Sequence, residues 1–406
     1  MHSVSQIKSG ELSGIKRLTL SENLTHFPME ILSLADSLEV LDLSNNKLTT
    51  LPSELTQLHQ LKILFASNNH FDHLPDVIGR CPNLEMVGFK ANNIKQVAED
   101  ALPKNLRWLI LTDNKIETLP ESLGERINLE KLALAGNKLT SLPQSFSKLS
   151  NLGLLRISAN ALTEFPAQLL KLPKLAWLAF LFCTSFDAVP ELPSKNILLK
   201  EVLGQGASGV ISKACFIDND ERFPEEIAVK VFKGEVTSDG YPQDELNACL
   251  KVGNHPNLVQ SLGQVTEPNF LALIMNLIPA NYINLGLPPS LQTCTRDTFE
   301  DDFSLSINDV DKIITQMLNV FEHLHINEVC HGDLYAHNTL VDADANIIFG
   351  DFGAASMYHM LEEEERAGIK AIEQRALNYF IEDLLSICKP EDKMTELYIS
   401  LQVKTR

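Results

Sequence analysis

The sequence predicts two domains of different build: an α/β solenoid of short repeats, then a domain of mixed strands and helices. Three observations carry this. A pattern L-x-x-L-x-L-x-x-N returns every 22 or 23 residues through the first half. A glycine-rich stretch, Gly204-x-Gly206-x-x-Gly209, then sits between alternating apolar runs, as a strand-turn-strand does. Finally, the 406 residues are 44% apolar and 21% charged, globular in composition and long enough for a sizeable core in each of two domains.

After a lead-in of residues 1–14, the repeats begin at Ile15, Leu38, Leu61, Leu84, Leu106, Leu129, Leu152 and Leu175, giving eight turns over residues 15–190. The ninth position holds Asn23, Asn46, Asn69, Asn92, Asn114, Asn137 and Asn160, then Cys183. Most turns continue with L-x-x-L-P, as from Leu48 to Pro52. The leucines alternate inward from a short strand, the asparagine amide satisfies backbone groups where the chain turns, and Leu-Pro directs the return segment along the outside. Stacked turns then bury one continuous core that no single turn could bury.

This pattern closely resembles the leucine-rich repeat family, with atypical end turns as capping repeats have. The resemblance implies a protein partner on the concave strand face. There the third positions are Val40, Ile63, Met86, Trp108, Leu154 and Trp177, interrupted by Lys131, with Phe65 and Ile110 beside them. An apolar, tryptophan-bearing strip aimed at solvent fits a docking surface. The alternative is packing of these side chains on one another or on the second domain, above all for Trp177 and Phe182.

Charge divides unequally. Up to Pro190 there are 19 acidic and 18 basic side chains, and from Glu191 onward 34 and 16, so the second half carries 18 of the 19 excess negative charges. That field disfavours nucleic acid and anionic membrane as partners. The seven scattered cysteines have no C-x-x-C pair, which speaks for free thiols in a reducing compartment. The opening MHSVSQIKSG does not read as a secretory signal, and the most apolar run, Phe270 to Ile278, is too short to span a bilayer. A cytoplasmic location is expected.

A short Pro-punctuated connector, Val189 to Ile197, leads into the second domain. The glycines of its first turn let backbone N–H groups approach phosphates. A dinucleotide-binding turn has the same spacing but needs a helix after the third glycine, where this chain has the strand-like VISKACF. Downstream, IAVKVFK puts Lys230 in a β-branched strand; HGDLYAHN, His331 to Asn338, and Asp351-Phe352-Gly353 follow. In this order the four motifs resemble the protein kinase family over about residues 196–386.

The resemblance implies an α+β two-lobed domain over residues 191–406, with an N-lobe of about 196–278 and a shortened C-lobe of about 279–406. It also implies ATP and Mg2+ as ligands. Leu203, Gly204, Gly206, Ser208, Gly209, Val210 and Ala228 would enclose the nucleotide, with Met275 as gatekeeper and Asn276 to Ile278 as hinge. Lys230 would hold the phosphates, paired with Glu245, to which Asp244 is adjacent. Asp333 would orient and deprotonate the acceptor hydroxyl, and Asn338 and Asp351 would hold the metal. Asp383 looks like the aspartate by which the family's buried helix anchors the catalytic loop. His331 fits a structural core position, and the EEEER run from Glu362 a solvated helix start.

Some positions depart from the family. Gly332 replaces the arginine that clamps a phosphorylated activation loop, Tyr335 stands where serine/threonine kinases carry a phosphate-neutralising lysine, and no Ala-Pro-Glu follows the Asp-Phe-Gly. The His-Gly-Asp spelling also resembles aminoglycoside and choline kinase-type phosphotransferases. The expected function is a serine/threonine protein kinase whose repeats bind a protein partner; the alternatives are a small-molecule phosphotransferase and a pseudokinase scaffold.

Overall fold

The structure, a computed structural model, describes residues 1–406 apart from 181–189, 207, 218–222, 235 and 406. Cys183 and Phe182 therefore lie outside the described residues. The chain divides into two compact units, Met1–Leu175 and Ala176–Arg406.

The first unit opens with a single helical turn, α1 (Val4–Lys8), closed by a capping box between Ser3 and Gln6. Seven three-residue strands follow: β1 (Arg17–Thr19), β2 (Val40–Asp42), β3 (Ile63–Phe65), β4 (Met86–Gly88), β5 (Trp108–Ile110), β6 (Lys131–Ala133) and β7 (Leu154–Arg156). They pair in parallel in chain order, and the third repeat positions fall opposite one another, Val40 on Ile63, Ile63 on Met86 and Met86 on Trp108. The return segments are 3₁₀ turns such as Ser53–Gln57 and Glu121–Glu125, each starting just after its proline. A repeat of 22 or 23 residues leaves no room for a longer α-helix.

Six turns are locked by their asparagines, from Asn46 to Asn160, whereas Asn23 of the first turn is exposed. Asn137 donates from Nδ2 to the carbonyls of Leu111 and Leu134, both at 2.9 Å, and accepts the Ile116 N–H at 3.0 Å. Asn69, Asn92, Asn114 and Asn160 repeat this from one turn to the next. The residue before each takes left-handed φ, including Ala91 and Ala159, because the chain must reverse there.

The strip read as solvent-facing is largely buried. Ile63, Met86, Leu154 and Trp177 are at most 8% exposed, and only Val40 and Trp108 among those third positions stay half-buried, with Phe65 and Ile110 alongside. The Lys131 ammonium lies 4.3 Å from the centre of a Trp108 ring.

The second unit opens with β8 (Trp177–Ala179), the strand of the eighth repeat. An antiparallel sheet follows in the order β12-β13-β11-β10-β9, built from β9 (Ile197–Gln205), β10 (Gly209–Phe216), β11 (Ile227–Phe232), β12 (Ser261–Glu267) and β13 (Phe270–Asn276). Alternation along β11 sends Ile227 and Val229 into one apolar cluster, and Ala228 into another with Leu246 and Leu250 of α2 (Pro242–Val252).

Small strands and helices complete the unit: β14 (Ile283–Asn284), α3 (Ile307–Ile326), β15 (Val329–Cys330), β16 (Thr339–Val341), β17 (Ile347–Phe349), β18 (Ser356–Met357), α4 (Glu363–Ser386) and α5 (Glu396–Lys404). Helix α3 packs Ile313, Met317, Val320 and Leu324 into the core, and α4 adds Ile369, Ile372, Ala376 and Phe380. α4 starts as expected for EEEER, with Glu362 and Glu365 forming a capping box. Among the described residues no helix is long and apolar enough to cross a membrane.

Candidate active site

Strands β9 and β10 meet in the glycine turn, closed by the Gly206 N–H on the Gly209 carbonyl at 3.0 Å. A Cβ on Gly204 or Gly206 would meet nothing within 4 Å, so no packing demand requires glycine there. Leaving those positions bare keeps the backbone open to a phosphate. Gly209 has a different cause, since its Cβ would fall 2.5 Å from the Val231 carbonyl of the adjacent strand.

Lys230 shares a strand face with Ala228, which pairs with Met275 across the sheet. Its ammonium is buried and ion-paired with Glu245 on α2, while Asp351 Oδ1 lies 4.0 Å away. Burial opposes the lysine charge, yet the carboxylates of Glu245 and Asp351 outweigh it and hold the ammonium above its ordinary value. Helix phase thus decides between the two neighbouring acids. Asp244 is buried elsewhere, with Oδ2 lacking a hydrogen-bond partner and burial pushing its carboxyl up to about 6.

The loop after β15 carries the remaining groups. Asn338 donates from Nδ2 to Asp333 Oδ2 at 2.8 Å and to the Asp333 carbonyl at 3.0 Å. His331 is fully buried and stacked on Phe349 at 4.1 Å. Its Nε2 bonds the Gly350 carbonyl at 3.1 Å, which fixes the proton there and leaves Nδ1 to accept the Asp333 N–H at 3.3 Å. The ring is structural. Hairpin β16–β17 brings Asp351 beside Asn338, with the Gly350 N–H on the Asn338 carbonyl at 3.3 Å. Asp351 takes left-handed φ of 58° and accepts the Gly353 N–H at 3.4 Å.

This geometry fits a magnesium nucleotide. Asp351 and Asn338 offer hard oxygen donors, and among the described residues no group of three His, Cys, Asp or Glu side chains forms a metal cage. Two protein oxygens completed by phosphates and water are how magnesium is commonly held.

Residues 197–371 match the family model for the protein kinase domain, while 37–58 and 127–179 match models for leucine-rich repeats. Leucine-rich repeats and a protein kinase domain are fused in this chain. Over 181 residues, 42% of the chain, it is 26% identical to fibroblast growth factor receptor 1 of Xenopus laevis, covering 22% of that protein. It is 28% identical over 157 residues to cyclin-dependent kinase 11.1 of Caenorhabditis elegans (38% of the chain, 20% of the relative). A third relative, an L-type lectin-domain containing receptor kinase of Arabidopsis thaliana, is 29% identical over 170 residues (41% of the chain, 30% of the relative). The chain thus spans less than a third of the length of these relatives.

Two expectations about the kinase domain change. Asp383 does not hold the loop of Asp333 and Asn338 directly; it receives Arg296, with Nη2 to Oδ1 at 2.6 Å, and the Asp297 N–H at 3.2 Å, and Asp297 in turn accepts the Ala336 N–H at 2.9 Å. The direct anchor is Glu373, earlier on the same helix. It is 1% exposed and accepts the His331 N–H at 2.7 Å. Its only sequence signal is an acidic residue inside the apolar stripe of Ile369, Ile372, Ala376 and Phe380. Tyr335, read as a lost phosphate-facing charge, is 3% exposed and stacked on Trp177 at 5.1 Å. Its role is packing.

Proposed function

We propose that the kinase domain transfers the γ-phosphate of ATP to serine or threonine of a protein substrate, and that the repeats recruit a protein partner. The observation that carries the catalytic half is the convergence of two pairs, Lys230 with Glu245 beside Asp351, and Asp333 with Asn338. Lys230, kept charged by its partners, is placed to hold the α and β phosphates, with the open backbone of Gly204 and Gly206 above them. Asp333 orients the acceptor hydroxyl and takes its proton as the oxygen bonds to the γ-phosphorus; the bond to the β–γ bridging oxygen breaks and ADP leaves. Asn338 and Asp351 would hold the metal, whose charge when bound offsets that developing on the phosphate oxygens.

Gly332 gives the chain its His-Gly-Asp spelling, but it lies against the carbonyls of Leu178 and Ala354. A packing cause for the glycine takes away its weight as a sign of a small-molecule acceptor. The partner reading rests on the half-buried Val40, Phe65, Trp108 and Ile110, and a cytoplasmic setting accords with the free thiols of Cys81, Cys215, Cys249 and Cys388.

The test is incubation with labelled ATP and magnesium, offering generic protein substrates and, separately, aminoglycosides. Wild type should yield phosphoserine or phosphothreonine, and Lys230→Met and Asp333→Asn should each lose about a hundredfold or more. Label on tyrosine alone, label on the aminoglycoside alone, or no incorporation would each sink the proposal.

A further inference from the structure

The catalytic loop lies against a strand that the sequence counts among the repeats. On β8, the Trp177 indole N–H donates to the Leu334 carbonyl at 2.9 Å, one residue past Asp333. Trp177 is 2% exposed, and its ring lies parallel to Tyr335 on one contact and to Tyr379 on another, at 5.1 and 5.4 Å with interplanar angles of 3° and 15°. Arg296 closes this stack over Tyr379 at 4.7 Å and is itself fixed by Asp383. On the other side of Asp333, Gly332 sits so near Leu178 that a Cβ would come within 2.6 Å of its carbonyl. Further along, the Phe180 N–H donates to Ser356 Oγ at 2.9 Å, beyond the Asp-Phe-Gly turn.

One short strand therefore grips residues 332, 334 and 335, on both sides of the aspartate. We propose that Trp177 is a positioning residue for Asp333, fixing the Leu334–Tyr335 peptide plane one residue past the aspartate and so restraining the direction of its carboxylate. This rests on the kinase reading above.

Three physical points support it. Leu334 is 2% exposed, so without the indole its carbonyl would be buried unpaired unless the loop moved toward water. The bond and the stack act on adjacent residues, Leu334 and Tyr335, and together hold a loop that the short turn Ala336–Asn338 alone would leave freer. The contact is also local to the loop. It touches neither the Lys230–Glu245 pair nor the glycine turn, so losing it should misdirect the acceptor hydroxyl without weakening nucleotide binding.

The experiment compares full-length wild type, Trp177→Phe and Trp177→Ala by steady-state phosphotransfer and by hydrogen exchange. Trp177→Ala should lower kcat about ten- to a hundredfold with KM for ATP within about twofold, since misplacement by an ångström has effects of that size. Trp177→Phe, which keeps a ring but no N–H, should recover part of the loss. Amides of residues 332–336 should exchange faster in both variants, with those of β11 unchanged. If Trp177→Ala does not fold, the Phe variant carries the same test with a smaller expected loss.

An active wild type whose Trp177 variants keep kcat, or whose loop amides exchange no faster, overturns the positioning role and leaves the kinase reading standing. A fall in kcat matched by an equal rise in KM for ATP also overturns it, as general loosening. A wild type that transfers no phosphate overturns the kinase reading, and loop exchange alone then decides whether Trp177 positions the loop.

Discussion

The Glu373 carboxylate accepts the backbone N–H of His331 at 2.7 Å and the His325 ring at 2.9 Å, tying helix α4 to the start of the loop that carries Asp333 and Asn338. Both carboxylate oxygens are used in a site 1% exposed. Glu373→Ala removes the acceptor of the buried His331 N–H and of the half-buried His325 ring and should cost about 2 kcal/mol in urea unfolding, whereas Glu373→Gln keeps one acceptor and should cost about 1 kcal/mol. An alanine variant as stable as wild type would refute the anchor.

Gly332 has φ of +71°, and a Cβ would approach the Leu178 and Ala354 carbonyls to 2.6 and 2.8 Å. Gly332→Ala should therefore cost about 2–3 kcal/mol, from left-handed backbone and steric overlap together. Restoring the family's arginine, Gly332→Arg, should do no better. Gly206→Ala is the control: its Cβ meets open space, and stability should change by less than about 0.5 kcal/mol. Equal losses at the two glycines in denaturant titrations would contradict the close approach.

Burial pushes the Asp297 carboxyl up to about 8 from an ordinary 3.8; the Ala336 N–H and Arg296 pull the other way, and Asp383 and Asp333 add to the rise. The folded chain thus binds this proton more tightly than the unfolded one. Stability linked to it is full below about pH 4 and is lost as pH rises through about 8. Asp297→Asn keeps an acceptor for Ala336 but cannot titrate. Its melting temperature should rise relative to wild type between pH 5 and pH 8, and a constant offset across that range would show that Asp297 is not raised.

In the repeat unit, Asn137 is 7% exposed and serves the carbonyls of Leu111 and Leu134 and the N–H of Ile116. Asn137→Ala leaves the buried Ile116 N–H unpaired, while Asn114 and Asn160 still donate to the Leu111 and Leu134 carbonyls, so the cost should be about 1–3 kcal/mol. Asn160→Ala, at a half-buried position where water can take over, should cost less. Thermal unfolding of the two variants decides this, and equal losses would argue against burial as the cause.

Much of the site was legible because each part sits in a short local pattern. Lys230 stands in its strand, Asp333 and Asn338 are five residues apart on one loop, and Asp351 follows a two-strand hairpin. Glu245 was favoured over the adjacent Asp244 in sequence, and the packing of α2 on the sheet puts Glu245 on Lys230, since adjacent helix residues differ in phase. Asp383 and Glu373 lie on the same helix, and composition does not say which turn meets the loop. Only the placement of α4 does.

The sequence by itself determined the repeat period, the asparagine at each turn and the order of the four kinase motifs, because these depend on neighbours within a few residues. Tertiary structure alone decided that the apolar strip is mostly buried, that Tyr335 packs and that Gly332 makes room for a backbone. Trp177 shows why. Its repeat position follows from a local period, but its hydrogen bond reaches Leu334, 157 residues away, and no local period encodes that pairing.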